Sequence, residues 1–185
     1  MFEKKHFKIL FTSVLVLSLG VFLFRLGSGA FIDYDEATYA QVINTTTASG
    51  NIFSLKIGAD RYWFEKPPLY FWLAAATAQV IPSKTWAYRL PDALFAVSAI
   101  ALTMLITYEL GASISATLLS GLILLTTGAW LEAGRQLRMD VPVTTFILFS
   151  FYAFLRGEKK PWWYVAVGIG IGLGVMVKSV IGLFV

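Results

Sequence analysis

The sequence predicts an all-α integral membrane protein, polytopic, with helices lying along the membrane surface in its first outer loop. Three observations carry that prediction. Hydrophobic residues make up 57% of the 185 and charged residues only 14%, which is far from the balance of a soluble domain. The mean hydropathy is +0.70. The charges also gather in short islands between long uncharged runs, as they do when the runs lie in lipid and the islands in water. A net charge of +4 does not point to nucleic acid, because the basic residues form no stripe. The absence of cysteine excludes disulfides and thiolate metal sites, and it is silent about compartment.

Five runs approach the ~20 residues that cross a bilayer, namely 9–24, 93–108, 114–131, 141–155 and 162–177. With their flanks the spans are placed at about 9–26, 91–110, 114–131, 141–156 and 162–185. The first run resembles a signal peptide, with Ser28 and Ala30 spaced like a cleavage site. It is longer than the usual apolar region of such a leader, so an uncleaved anchor is expected. Lys4, Lys5 and Lys8 before it, and Arg156, Lys159 and Lys160 later, are expected on the cytoplasmic side.

That parity requires an even number of crossings between the two basic clusters, so one apolar run in the interval cannot cross. The best choice is 67–82. It opens with Pro67 and Pro68, closes at Pro82 and carries Thr77 and Gln79, so an interfacial helix is predicted there. Another is predicted at about 35–49, before the stop Gly50-Asn51. The rings of Tyr62, Trp63, Phe64, Tyr70, Phe71, Trp72, Trp86 and Tyr88 suit headgroup depth. Within the last run, Gly168 and Gly172 read as a small-xxx-small pair for helix contact. That run stops at Val185 in apolar sequence, so the chain reads as the N-terminal part of a longer protein.

Three polar islands then share the outer face. The first is Asp33, Tyr34, Asp35 and Glu36 at a helix start. Asp33 with Glu36 can form a capping box, but Asp35 and Glu36 together exceed what one cap requires. The second runs from Arg61 to Pro68, with Glu65 and Lys66 held between aromatics and two prolines. Lys66, near a helix N-terminus, can hold a phosphate or snorkel to anionic lipid. The third is Glu132, Arg135, Arg138 and Asp140. Arg135 and Arg138 stand three apart, so in a helix they share a face and can clamp an anionic leaving group. Lys178 lies near the outer end of the last run and can add charge to the same site. Asn44-Thr45-Thr46 matches a glycosylation acceptor, a triplet frequent by chance.

Asp35-Glu36-Ala37-Thr38-Tyr39-Ala40, YWFEKPP at 62–68, Tyr88-Arg89-Leu90-Pro91 and Leu137-Arg138-Met139-Asp140 together resemble the bacterial aminoarabinose transferase family and its protein mannosyltransferase relatives. The resemblance covers essentially the whole chain in the family's order. It implies a GT-C glycosyltransferase that moves a sugar, with inversion, from a polyprenyl-phosphate donor to a lipid, protein or glycan acceptor. It also implies the inner membrane, with the active site on the periplasmic or extracellular face. By position Asp35, Glu36 and Asp140 are the expected catalytic acids, and Lys66 binds the carrier phosphate with Arg138, Arg135 and Tyr62 about it. No cofactor is expected to be required, although Glu65 matches a position implicated in a divalent-metal site in some members. The sequence departs from the family in reading Lys178-Ser179 where relatives usually show Lys-Gly.

Two other readings compete. A transporter or flippase half predicts charges buried at mid-membrane, whereas nearly all charges here fall in loops. A structural subunit leaves the proline-locked, oppositely charged outer loops unexplained.

Overall fold

The computed structural model describes residues 2–31, 34–58 and 61–183. Among the described residues eight α-helices follow one another: α1 (Phe2–Leu23), α2 (Tyr34–Ala48), α3 (Leu69–Val80), α4 (Lys84–Glu109), α5 (Ile114–Thr126), α6 (Gly128–Ala133), α7 (Asp140–Gly157) and α8 (Trp163–Lys178). A 3₁₀ turn, Ser179–Leu183, folds back on α8. Among the described residues there is no strand, only one isolated bridge between Lys56 and Tyr62.

Helices α1, α4 and the segment Trp163–Leu183 are long and apolar enough to cross a membrane. The single run expected at 114–131 is instead broken at Thr127, whose extended backbone separates α5 from α6. Thirteen residues give α5 a length of about 20 Å, and α6 turns away before the second polar loop. Helix α7 has 18 residues, with Asp140 in its first turn and Arg156 in its last.

Helix α4 begins at Lys84, well before the uncharged run that marked it, and so takes in Arg89 and Asp92. Arg89 fell in the expected outer loop and Asp92 at the edge of the span expected at 91–110, yet Arg89 is 5% and Asp92 0% exposed. Each has a partner: Glu36 for Arg89, and Tyr70 Oη, 2.6 Å from Asp92 Oδ2. Pro91 inside α4 cannot donate to the carbonyl four residues back, that of Ala87. Thr77 of α3 fills the gap, its hydroxyl donating to Ala87 O at 2.6 Å. A backbone defect in one helix thereby becomes the docking point of another.

Two cores result. Val14, Phe22, Ala96, Ile100, Met104 and Leu125 pack α1, α4 and α5 along the bundle. Tyr39, Ile43, Trp63, Tyr70, Phe71 and Leu137 pack the polar-loop segments over one end, here called the site end. At the opposite end Glu109 of α4 accepts from Arg156 Nη1 at 2.7 Å and from Lys159 Nζ, while Phe7 stacks on Tyr108 with centroids 5.0 Å apart. The exposed surface of the bundle is rich in Val, Leu, Ile and Phe, as lipid requires.

The glycine pair expected to seat α8 is in the wrong register. A methyl group at Gly168 or Gly172 would meet nothing within 4 Å. One at Gly170 would lie 2.3 Å from Ser150 Oγ of α7, and one at Gly174 would lie 3.2 Å from Gly182 Cα. Small residues do bring α8 against α7 and the 3₁₀ turn, but from the other alternate set.

Candidate active site

Consecutive residues of a helix point about 100° apart, so the first turn of α2 sends its two acids in different directions. Asp35 is exposed at the site end and Glu36 is 2% exposed. The Glu36 carboxylate receives Arg89 Nε at 2.6 Å and Nη2 at 2.8 Å, and the Leu137 amide donates to Oε1 at 2.9 Å. Arg89 spends its other donors on the carbonyls of Leu26, Ser28 and Ala30. One ion pair thus ties α2, α4, the chain leaving α1 and the loop before α7. Asp33, the other half of the expected capping box, lies outside the described residues.

Tyr39 follows Asp35 by one turn. Its ring is buried between Tyr70 and Phe71, with edge-on centroid distances of 6.2 and 5.7 Å. Its phenol is pushed up to about 12, first by burial and then by the negative charges of Asp35, Asp140 and Glu65, with Arg138 opposing. Charged groups from all three islands therefore act on one side chain.

The third island does not form one helical face. After α6 the chain turns through 134–139, and the two arginines separate. Arg135 donates to Val21 O at 2.6 Å and Phe24 O at 2.7 Å, closing the end of α1 rather than joining Lys66. Arg138 Nε stands 4.0 Å from Asp140 Oδ2, and Lys178 of α8 donates to Asp140 Oδ1. Asp140 is 54% exposed, so the cluster Arg138–Asp140–Lys178 faces outward.

Lys66 sits in a cleft of about 520 Å³ with Tyr62, Phe64, Glu65, Pro68 and Ser179. The wall carrying Tyr62 is a short antiparallel turn: Ile57 donates to Arg61 O, Trp63 donates to Leu55 O, and Lys56 Nζ lies 5.4 Å from the centre of the Tyr62 ring. No carboxylate among the described residues forms an ion pair with Lys66, which leaves its ammonium available to an anion. Ser179 follows Lys178 directly, so the cleft adjoins the Asp140 cluster through the chain itself.

Glu65 lines the cleft, but no group of three or more His, Cys, Asp or Glu among the described residues is placed to hold a metal ion. The sequence assigned no role to Arg89 or Asp92, and it placed the Tyr70 ring at headgroup depth, whereas the ring is fully buried in the protein. The only available sign was the oddity of two charges flanking Leu90-Pro91 at the head of an apolar run. Asn44, of the glycosylation-like triplet, accepts from Lys84 Nζ at 2.9 Å and Tyr88 Oη at 2.8 Å.

The family model for dolichyl-phosphate-mannose-protein mannosyltransferases matches residues 5–185. The undecaprenyl phosphate-alpha-4-amino-4-deoxy-L-arabinose arabinosyl transferase of Enterobacter sp. (strain 638) is 26% identical over 181 residues, covering 92% of this chain and 32% of that protein. The chain thus spans about a third of the length of such relatives. Its fold is similar to that of ArnT from Cupriavidus metallidurans bound to undecaprenyl phosphate, with a TM-score of 0.81 and 23% identity over 95% of this chain and 33% of that one. It is also similar to the S. cerevisiae protein O-mannosyltransferase Pmt1-Pmt2 complex bound to the sugar donor, with a TM-score of 0.77 and 22% identity over 97% of this chain and 26% of that one.

Proposed function

Because the chain belongs to the dolichyl-phosphate-mannose-protein mannosyltransferase family and is an all-α, multi-pass membrane protein of the GT-C type, we propose that it forms the catalytic end of a glycosyltransferase using a polyprenyl-phosphate-linked sugar. The observation that carries this reading is the adjacency of two charged groups: the cleft of Lys66, lined by Glu65 and Ser179, and the cluster in which Arg138 and Lys178, the residue before Ser179, flank Asp140. Opposite charges gathered at one end of an apolar bundle suit a reaction that takes up a proton at one point and releases an anion at another.

In this reading Asp35 accepts the proton of the acceptor hydroxyl. The acceptor oxygen attacks the anomeric carbon from the face opposite the carrier. That forms the new glycosidic bond and breaks the bond to the phosphate oxygen, inverting the centre. The departing electron pair stays on the polyprenyl phosphate, whose charge Lys66 and Arg138 stabilise, with Tyr62 beside them. Asp140 holds Arg138 and Lys178 in place, and Glu36 acts from behind by fixing α2 to α4. The site end then faces the non-cytoplasmic side, with a lipid, protein or glycan as acceptor.

The transporter reading finds less support, since Asp140, Arg156 and Lys178 lie at the ends of α7 and α8 and the charged groups inside α4, Arg89 and Asp92, are held by Glu36 and Tyr70. In the full-length protein Asp35→Asn should lower turnover by ~10²- to 10⁴-fold with the fold retained. Lys66→Ala should weaken donor binding. Near-wild-type transfer by the first variant, or unchanged donor affinity in the second, would overturn the assigned roles.

A further inference from the structure

On the flank of the bundle, away from the Lys66 cleft, two cavities meet at Arg135. One is a polar recess of about 240 Å³, lined by Arg25, Ser28, Glu132, Arg135 and Gln136, with the Glu36–Arg89 pair as its floor. The other is an apolar groove of about 540 Å³ along α1, lined by Val16, Leu17, Gly20, Val21 and Phe24, again with Arg135. The guanidinium that closes the last carbonyls of α1 is therefore the boundary between them. Gly20 meets nothing within 4 Å of its missing side chain, which leaves the groove open.

A polar recess directly above an apolar groove has the form of an amphiphile site, with the head in one and a chain in the other. The charges narrow the head. Arg25 and Arg135 offer cations to a phosphate. Glu132 offers an anion, and its neighbour Gln136 donates Nε2 to it at 3.3 Å. A zwitterionic head with a phosphate and an N–H-bearing ammonium matches both signs and brings donors to the carboxylate. A glycerol head brings no cation to Glu132, and a choline head brings no N–H.

We propose that the recess and groove together bind one phospholipid of the phosphatidylethanolamine type, its phosphate on Arg25 and Arg135, its ammonium at Glu132, and an acyl chain along Val16–Phe24. This site is separate from the proposed donor site.

The test uses full-length protein in mild detergent and native mass spectrometry with phosphatidylethanolamine, phosphatidylglycerol and phosphatidylcholine of matched chains. Ethanolamine lipid should be retained preferentially. Arg25→Ala and Glu132→Gln should each lower its retention by roughly three- to fivefold, the scale of a partly exposed charge contact, with Arg25→Lys largely restoring it. Gly20→Leu, which fills the groove, should lower retention as well. Equal retention of the three lipids, indifference to Glu132→Gln, or indifference to Gly20→Leu because another part of the longer protein covers the groove would each overturn the proposal.

Discussion

Glu36 and Arg89 stand 53 residues apart in sequence and meet in a two-pronged ion pair that is almost wholly buried, with side chains 2% and 7% exposed. Neither charge can turn to water, and each satisfies backbone groups besides its partner. Removing one partner therefore leaves the other buried without its counter-charge. We expect Glu36→Leu or Arg89→Leu alone to cost about 3–5 kcal/mol, and the double replacement by leucines to recover much of that loss. Melting temperatures of the four proteins in detergent, read as a double-mutant cycle, check this. Additive losses would show that the two side chains act independently.

Helix α8 meets α7 through Gly170, not through the glycines on either side of it. Gly170→Leu would force a side chain into Ser150 and Phe149, and it should destabilise by roughly 1–3 kcal/mol. Gly168→Leu, directed into open space, should be neutral or stabilising because leucine favours the helix. Parallel thermal melts compare them, and equal behaviour would contradict the packing described.

Ser179 ends α8 with φ 49° and ψ −130°, a backbone conformation that suits glycine and strains a side-chain-bearing residue. At this position the family resemblance had implied a glycine after Lys178. Ser179→Gly should raise stability by about 1 kcal/mol, visible as a higher melting temperature. No change, or a loss, would mean that the strain is absent in solution.

Tyr39 carries a phenol pushed up to about 12, chiefly by burial. A tyrosine exposed by unfolding titrates near 10, so the folded state holds the proton more tightly. Its contribution to stability is complete below pH 10 and is lost as pH rises toward 12, a change of roughly 2 kcal/mol. Melting temperature measured from pH 9 to 12 should fall less steeply for Tyr39→Phe than for the wild type. Identical slopes would show that Tyr39 is not the group responsible.

The sequence alone determined the class of fold and most of the helices. Lipid asks one thing of a segment, a long uncharged run, and that can be read along a single chain without knowing its neighbours. It also marked the islands around Asp35, Lys66 and Asp140, because charge is costly in an apolar protein and its placement is informative. Tertiary structure decided what each charge does. Arg89 fell in the expected outer loop and Asp92 at the edge of the expected span, and both are buried in α4 because Glu36 and Tyr70 come from elsewhere to satisfy them. Arg135 and Arg138, three residues apart, part company because the chain between them turns instead of coiling. The choice of Gly170 over Gly168 depends on which side of α8 meets α7. Hydropathy shows that a residue is apolar or charged; only the packed chain shows which partner removes its charge from water.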